Sequence, residues 1–330
     1  MKVCPGCLKE GFETFCNPCL KKLFNGKKVN HILPFTQPEF NEIRINQSEH
    51  LSISGIQIKH SLKLEKKKLV LAETGGEYIL KPTPIGSFRN MEYTPANEHL
   101  TMQLAAQLFD INIPPNAFMQ FQDDYPAYIV KRFDVLPDGN KLLQEDFAQV
   151  AGKSEENSGK NYKYDFSYEE IAELMKKYIS AYPIEIEKYF TLILFNYLVS
   201  NGDAHLKNFS VFRNNEFGDY TLTPAYDLLN TSLHISNESN TALDLFKDNY
   251  MTESYKHRSK YAKDDFYEFG IKIGIINSRI DKIYERFLNK EKGIESMIYR
   301  SFLPDELKEK YLSSVLDRLK RLEYSYIAEK

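Results

Sequence analysis

Residues 201–208 read Asn-Gly-Asp-Ala-His-Leu-Lys-Asn, and Asp227 follows in Thr-Pro-Ala-Tyr-Asp-Leu-Leu. An acid and an amide, Asp203 and Asn208, with a second acid later in the chain at Asp227, constrain the fold strongly. If the three act together, a hairpin must bring Asp227 back beside the loop. The stretch before the loop, Tyr189 to Val199, is the longest apolar run in the chain. It is shorter than the roughly 20 residues that cross a bilayer, so it reads as a buried helix. The loop therefore leaves the end of a rigid element.

The spacing of Asp203 and Asn208 is that of a protein-kinase catalytic loop. In that chemistry Asp203 accepts the proton of an attacking hydroxyl. Asn208 and Asp227 offer oxygen ligands to Mg2+, which favours octahedral oxygen coordination. Lys207 is placed to neutralise charge on a transferred group, or else to pair with a nearby carboxylate. His205 reads as a residue that orients the loop. Lys81 closes Tyr78-Ile79-Leu80-Lys81 and can reach nucleotide phosphates as a point charge. Alone it would be an exposed strand lysine. Glu98, in the next predicted helix, gives it the partner that fixes such a lysine. No Gly-x-Gly-x-x-Gly occurs, and the nearest phosphate cradle is Ser52 to Lys59, with one glycine.

The chain divides into a β-rich part and a helical part. Segments 51–59, 61–64, 69–73 and 77–81 read as strands, with the lysine run at 66–68 as a solvated hairpin tip. Thr94 to Asp110 reads as a helix capped by Thr94, with Pro95 in its first turn. Ala127 to Phe133 and Tyr220 to Thr223 read as strands, and 137–140 as a turn. Helices are expected at 168–178, 184–199 and 305–324, a polar surface loop at 153–165, and no clear period over 236–260. The expected organisation is an N-terminal extension over 1–26, an N-lobe over 27–133 and a helical C-lobe over 134–330. The fold class is α+β, with two lobes.

All four cysteines lie near the start, as Cys4-x2-Cys7 and Cys16-x2-Cys19. Four thiolates on two tight turns suit a tetrahedral structural Zn2+ site. Reduced thiols, or disulfides in an exported form, are the other readings. Gly6 and Gly11 are expected to supply turn freedom. The segment Met1 to Phe15 lacks an apolar core, so no conventional secretory signal is expected there. The expectation is a cytoplasmic protein, or one that leaves the cell without a cleavable signal. A formal net charge of −3 gives no global pull toward nucleic acid or anionic lipid.

These segments together resemble the HipA-like serine/threonine kinase family. The matching strings are 52–59, 78–82 (Tyr-Ile-Leu-Lys-Pro), 97–105, 131–134 (Lys-Arg-Phe-Asp), 144–149, 201–210 and 222–227, in family order. The resemblance implies a bilobal kinase-like fold that uses ATP and Mg2+. It implies Asp203 as base. It implies nucleotide contacts from Ser54, Gly55, Ile56, Gln57, Ile58 and Lys59, and from Lys81, Lys131, Arg132 and Phe133. Further contacts fall to His205, Leu206, Lys207, Asn208, Tyr226 and Asp227. Ser52 is the implied site of autophosphorylation, with Ser54 second. The matching strings begin at Ser52, closer to the start of the chain than in typical members. That departs from the longer members that bind an antitoxin, and is similar to HipA-like effectors translocated into host cells. Lys131 stands where Glu is common, which alters the adenine-side contact. The competing classes are a small-molecule phosphotransferase of the aminoglycoside-kinase kind and a non-catalytic binding module. In the kinase reading the partner is a protein substrate.

Overall fold

The computed structural model describes residues 2–47, 59–84, 86–136, 138–213, 218–236 and 239–326. Ser52, Ser54, Gly55, Ile56, Gln57 and Ile58 lie outside the described residues.

The first half is built on a five-stranded antiparallel sheet. Its strands are β1 (His60–Glu65), β2 (Lys68–Leu71), β3 (Tyr78–Pro82), β4 (Asn116–Gln120) and β5 (Pro126–Lys131), in the order β2-β1-β3-β5-β4. The tight β1–β2 hairpin pairs Glu65 with Lys68 and puts Lys66 at a φ of 55°. The lysine run is thus a hairpin tip, as expected. β4 was not legible in the sequence because its first four residues are all buried, so no in–out alternation marks it.

Two helices precede the sheet, α1 (Asn17–Phe24) and α2 (Gln37–Gln47). Phe15, Phe24, Phe40, Leu62, Leu80 and Phe121 form one buried cluster with Cys4, Cys16 and Cys19. The N-terminal segment and the sheet therefore share a core. Backbone bonds tie them as well: Phe118 N–H to the Pro5 carbonyl at 2.9 Å, Gln120 N–H to His31 at 3.0 Å and Leu33 N–H to Gln120 at 2.7 Å.

α3 (Thr94–Leu108) lies between the sheet and the rest. Its residues from Thr94 to Ala105 are all buried, as expected of a helix with protein on every side. Pro95 sits in the first turn as predicted, but Thr94 does not cap the helix. It is already helical, Tyr93 holds the cap position, and the buried Thr94 hydroxyl has no partner among the described residues.

The second half is mainly helical. α4 (Phe147–Val150), α5 (Glu155–Ser158), α6 (Tyr168–Tyr178) and α7 (Tyr182–Leu198) come first. α6 starts where Ser167 and Glu170 cap each other, the Ser167 N–H donating to Glu170 at 2.7 Å. The supposed loop at 153–165 contains α5 and a 3-10 turn at Tyr162–Tyr164. α8 (Glu253–Arg258) breaks the unpatterned stretch 236–260, and buried Leu243, Leu245 and Phe246 anchor it. α9 (Lys263–Lys272), α10 (Asn277–Glu285), α11 (Glu291–Tyr299) and α12 (Asp305–Glu323) complete the chain. A small antiparallel sheet, β6 (Leu143–Asp146), β7 (Ser210–Arg213) and β8 (Tyr220–Leu222), lies among them. The second core joins Leu100 and Leu104 of α3 to Phe190 and Leu194 of α7 and to Tyr311 of α12. Truncating such a buried leucine or phenylalanine to alanine costs about 2–5 kcal/mol.

Candidate active site

Three sequence-distant residues meet where β3, α3 and the segment after β8 converge. The Lys81 side chain is 3% exposed and lies 2.5 Å from Glu98 Oε1. It also donates to Asp227 Oδ1. Lys59, half exposed, reaches Asp227 Oδ2 at 3.0 Å. The group holds two cations against two carboxylates, which is how buried charge is tolerated. Burial alone would lower the Lys81 ammonium, but Asp227 and Glu98 hold it above the ordinary lysine value. Burial raises Glu98, with Lys81 opposing and Asp227 adding to the rise. Burial would raise Asp227 too, yet Lys81 and Lys59 keep it well below the usual carboxylate range. Asp227 takes a φ of 55°, a left-handed conformation uncommon for a side-chain-bearing residue. Such backbone strain concentrates at functional sites.

A cavity of about 200 Å³ opens beside this group. Lys59, Lys81, Glu98, Lys131, Arg132, Phe133, Tyr226 and Asp227, each expected at the site, line it. Ile79, Met102, Tyr128 and Val130 add an apolar wall. The Lys131 ammonium turns to Asn25 Oδ1 at 3.2 Å. Arg132 holds Asp134 with two bonds. A larger cavity of about 510 Å³ lies by α7 and α10. There Arg279 is tied to Glu187 and Arg286 to Thr191, so size alone does not mark the reactive place.

The 201–208 loop forms the other end of the site. It leaves α7 through Ser200, at a φ of 53°. Asn201 Oδ1 accepts from Asp203 N–H at 3.2 Å, and Thr231 Oγ1 from Gly202 N–H at 2.7 Å, fixing the loop. The Asp203 side chain is 46% exposed. It accepts from the Tyr164 hydroxyl at 2.5 Å, with Lys163 at 4.0 Å and His205 Nε2 at 3.6 Å. Burial holds the His205 imidazole down at about 4, against the pull of Asp203, so the ring is neutral near pH 7. Lys207 is exposed and has no carboxylate partner among the described residues. Leu206 is buried. Asp203 and residues 205–208 are not in the wall of the 200 Å³ cavity. Tyr226 joins the two ends: it lines the cavity and donates to the Lys207 carbonyl at 2.9 Å. Tyr164 and Lys163 were missed because they lie in a polar stretch with no periodic or motif signal.

Three buried polar atoms at the site lack a protein partner among the described residues: Asn208 Oδ1, His205 Nδ1 and the Tyr128 hydroxyl. An unpartnered buried amide oxygen fits the oxygen coordination of a divalent cation.

A Haemophilus influenzae protein carrying the name "Putative kinase" is 28% identical over 301 residues, covering 86% of this chain and 85% of that one. The serine/threonine-protein kinase toxin HipA of Shewanella oneidensis is 29% identical over 209 residues, 58% of this chain and 46% of HipA. The chain spans about half the length of that longer relative. HipA from the same organism, solved with HipB and operator DNA, superposes with a TM-score of 0.59 at 21% identity, over 88% of this chain and 73% of HipA. The Helicobacter pylori proinflammatory kinase CtkA superposes with a TM-score of 0.52 at 14% identity, over 79% and 93%. The two-part α+β fold is thus one shared with HipA and CtkA. The model of the HipA-like C-terminal domain matches residues 51–292, and the chain belongs to that family.

Proposed function

We propose that this chain is an ATP- and Mg2+-dependent serine/threonine protein kinase. The observation that carries the reading is the buried Lys81 held between Glu98 and Asp227. Magnesium-bound ATP, when present, supplies the transferable phosphoryl group and part of the charge neutralisation. The chain's own residues do the rest. Glu98 keeps Lys81 extended toward the phosphates. Asp227 and Asn208 hold the metal, and Asp203 takes the proton of the acceptor hydroxyl. Lys207, exposed and unpaired among the described residues, adds positive charge where negative charge develops. Phe133 and the apolar wall at Ile79 and Val130 receive the base. Ser52, with Ser54 second, is the proposed self-modified residue. A dianion there would repel nucleotide phosphates. The four cysteines take no direct part.

HipA of Shewanella oneidensis was solved with HipB and operator DNA, so an antitoxin-type partner is a proposal for this chain as well. No described helix is long and apolar enough to cross a membrane. The test is labelled ATP with Mg2+ and purified protein, read by phosphosite mass spectrometry. Label on serine or threonine supports the proposal. Transfer only to amino sugars would make it a small-molecule phosphotransferase, and absence of nucleotide binding would make it a binding module.

A further inference from the structure

The four cysteines remain unused by this chemistry, yet they are assembled. All are free thiols, and three of the four are buried. Their sulfurs lie within 4.8 Å of one another. Tetrahedral Zn2+ with bonds of about 2.3 Å sets sulfurs about 3.8 Å apart, and Cys7 and Cys16 stand at 3.7 Å. A disulfide needs about 2.05 Å. The Cys16 N–H points at Cys4 Sγ at 3.2 Å, a donor that favours a thiolate there. Gly6 packs so close that a Cβ would meet Cys19 Sγ at 2.7 Å. The glycine is thus needed for space, while Gly11, at a φ of 85°, serves the turn.

The turn that carries Cys4 and Cys7 is also a hub of contacts. Four successive carbonyls each accept a bond from elsewhere. Pro5 receives Phe118 N–H of β4 at 2.9 Å. Gly6 receives His99 Nε2 at 3.3 Å, and Cys7 receives Gln107 Nε2 at 3.0 Å. Leu8 receives Arg300 at 3.3 Å. His99 and Gln107 belong to α3, and His99 directly follows Glu98. One residue of α3 meets Lys81, and the next meets the cysteine turn.

We propose that Cys4, Cys7, Cys16 and Cys19 bind one Zn2+, and that the loaded turn braces α3 so that zinc occupancy governs the Lys81–Glu98 pairing. The metal site stands by itself, while its effect on catalysis rests on the kinase reading. The site is closed, with four protein ligands and no position left for substrate, so its role is structural. Losing the metal would release the shape of the turn and loosen four contacts at once.

The test uses the full chain. About one zinc per chain is expected, and Co2+ should replace it with the strong absorption of a tetrahedral thiolate site. A chain that takes up neither metal, or that carries iron and sulfide instead, overturns the site. On chelation, amides of residues 97–105 should exchange at least ~10-fold faster while those of α6 keep their rate. Unchanged exchange in α3 overturns the brace. If Cys7→Ser fails to fold, stripping and reloading the wild type gives the same reading. Gln107→Ala keeps all four thiols; it should retain zinc yet show part of the faster α3 exchange, and wild-type exchange would count against the brace. If wild-type protein never transfers phosphate while the metal and exchange results hold, the kinase reading fails and the site stands. Full-rate transfer by the stripped chain would instead overturn the coupling.

Discussion

The two ends of the candidate site contrast in how they treat an aspartate. Asp227 is 23% exposed, strained in its backbone, and shared between two ammonium groups. Asp203 is half exposed, backed by a neutral imidazole, and touched by a tyrosine hydroxyl and a distant lysine. The difference teaches that burial assigns the work. A more buried carboxylate holding cations suits a fixed charged ligand, whereas an open carboxylate can meet an incoming hydroxyl and receive its proton.

The contrast can be tested at four strengths. Lys81→Met should have the largest effect. It leaves Glu98 buried, and Asp227 partly so, with one cation gone, so stability should fall by about 3–5 kcal/mol and phosphate transfer should vanish. Urea unfolding and a labelling assay read the two losses, and a fully stable variant would show that the cluster is not enclosed. Asp203→Ala should lower transfer at least ~10²-fold while shifting stability by no more than about 0.5 kcal/mol, as for an exposed site. Near-normal labelling would remove Asp203 from the role of base.

His205 gives a pH signature at the open end. Its folded-state value is depressed to about 4, below the ordinary 6.5. The unfolded chain therefore binds the proton first, and stability must fall as the pH drops from 6.5 toward 4 and level off below. His205→Asn should flatten that decline by roughly 1–3 kcal/mol, since one pKa unit is worth about 1.4 kcal/mol. Parallel acid-side slopes for the two proteins would contradict this. Tyr164→Phe should be mildest: losing one hydroxyl contact to Asp203 should change transfer less than about tenfold, in keeping with a hydrogen bond worth about 1 kcal/mol. A hundredfold loss would move Tyr164 into the catalytic group.

Much of this was legible in the sequence for identifiable reasons. The apolar run of α7 and the helix expected over 168–178 are local patterns, and the chain folds as those patterns say. Lys81 and Glu98 were paired from spacing, and their ammonium and carboxylate do meet. What stayed hidden depends on distant partners. β4 is buried on both faces and lacks alternation, β7 directly follows the loop with no turn signal, and Tyr164 reaches Asp203 only through the packing of a polar segment. Thr94 looked like a cap by residue type, but the chain enters the helix one residue earlier.

The bonds that join the N-terminal segment to β4 have a consequence for solubility. β4 is the last strand on its side of the sheet, and an open strand edge is a template for pairing with another molecule. Pro5, His31 and Leu33 occupy that side with their own backbone groups. A chain begun after residue 36 would bare both the edge and the aromatic residues beneath it, and should self-associate even with every catalytic side chain intact.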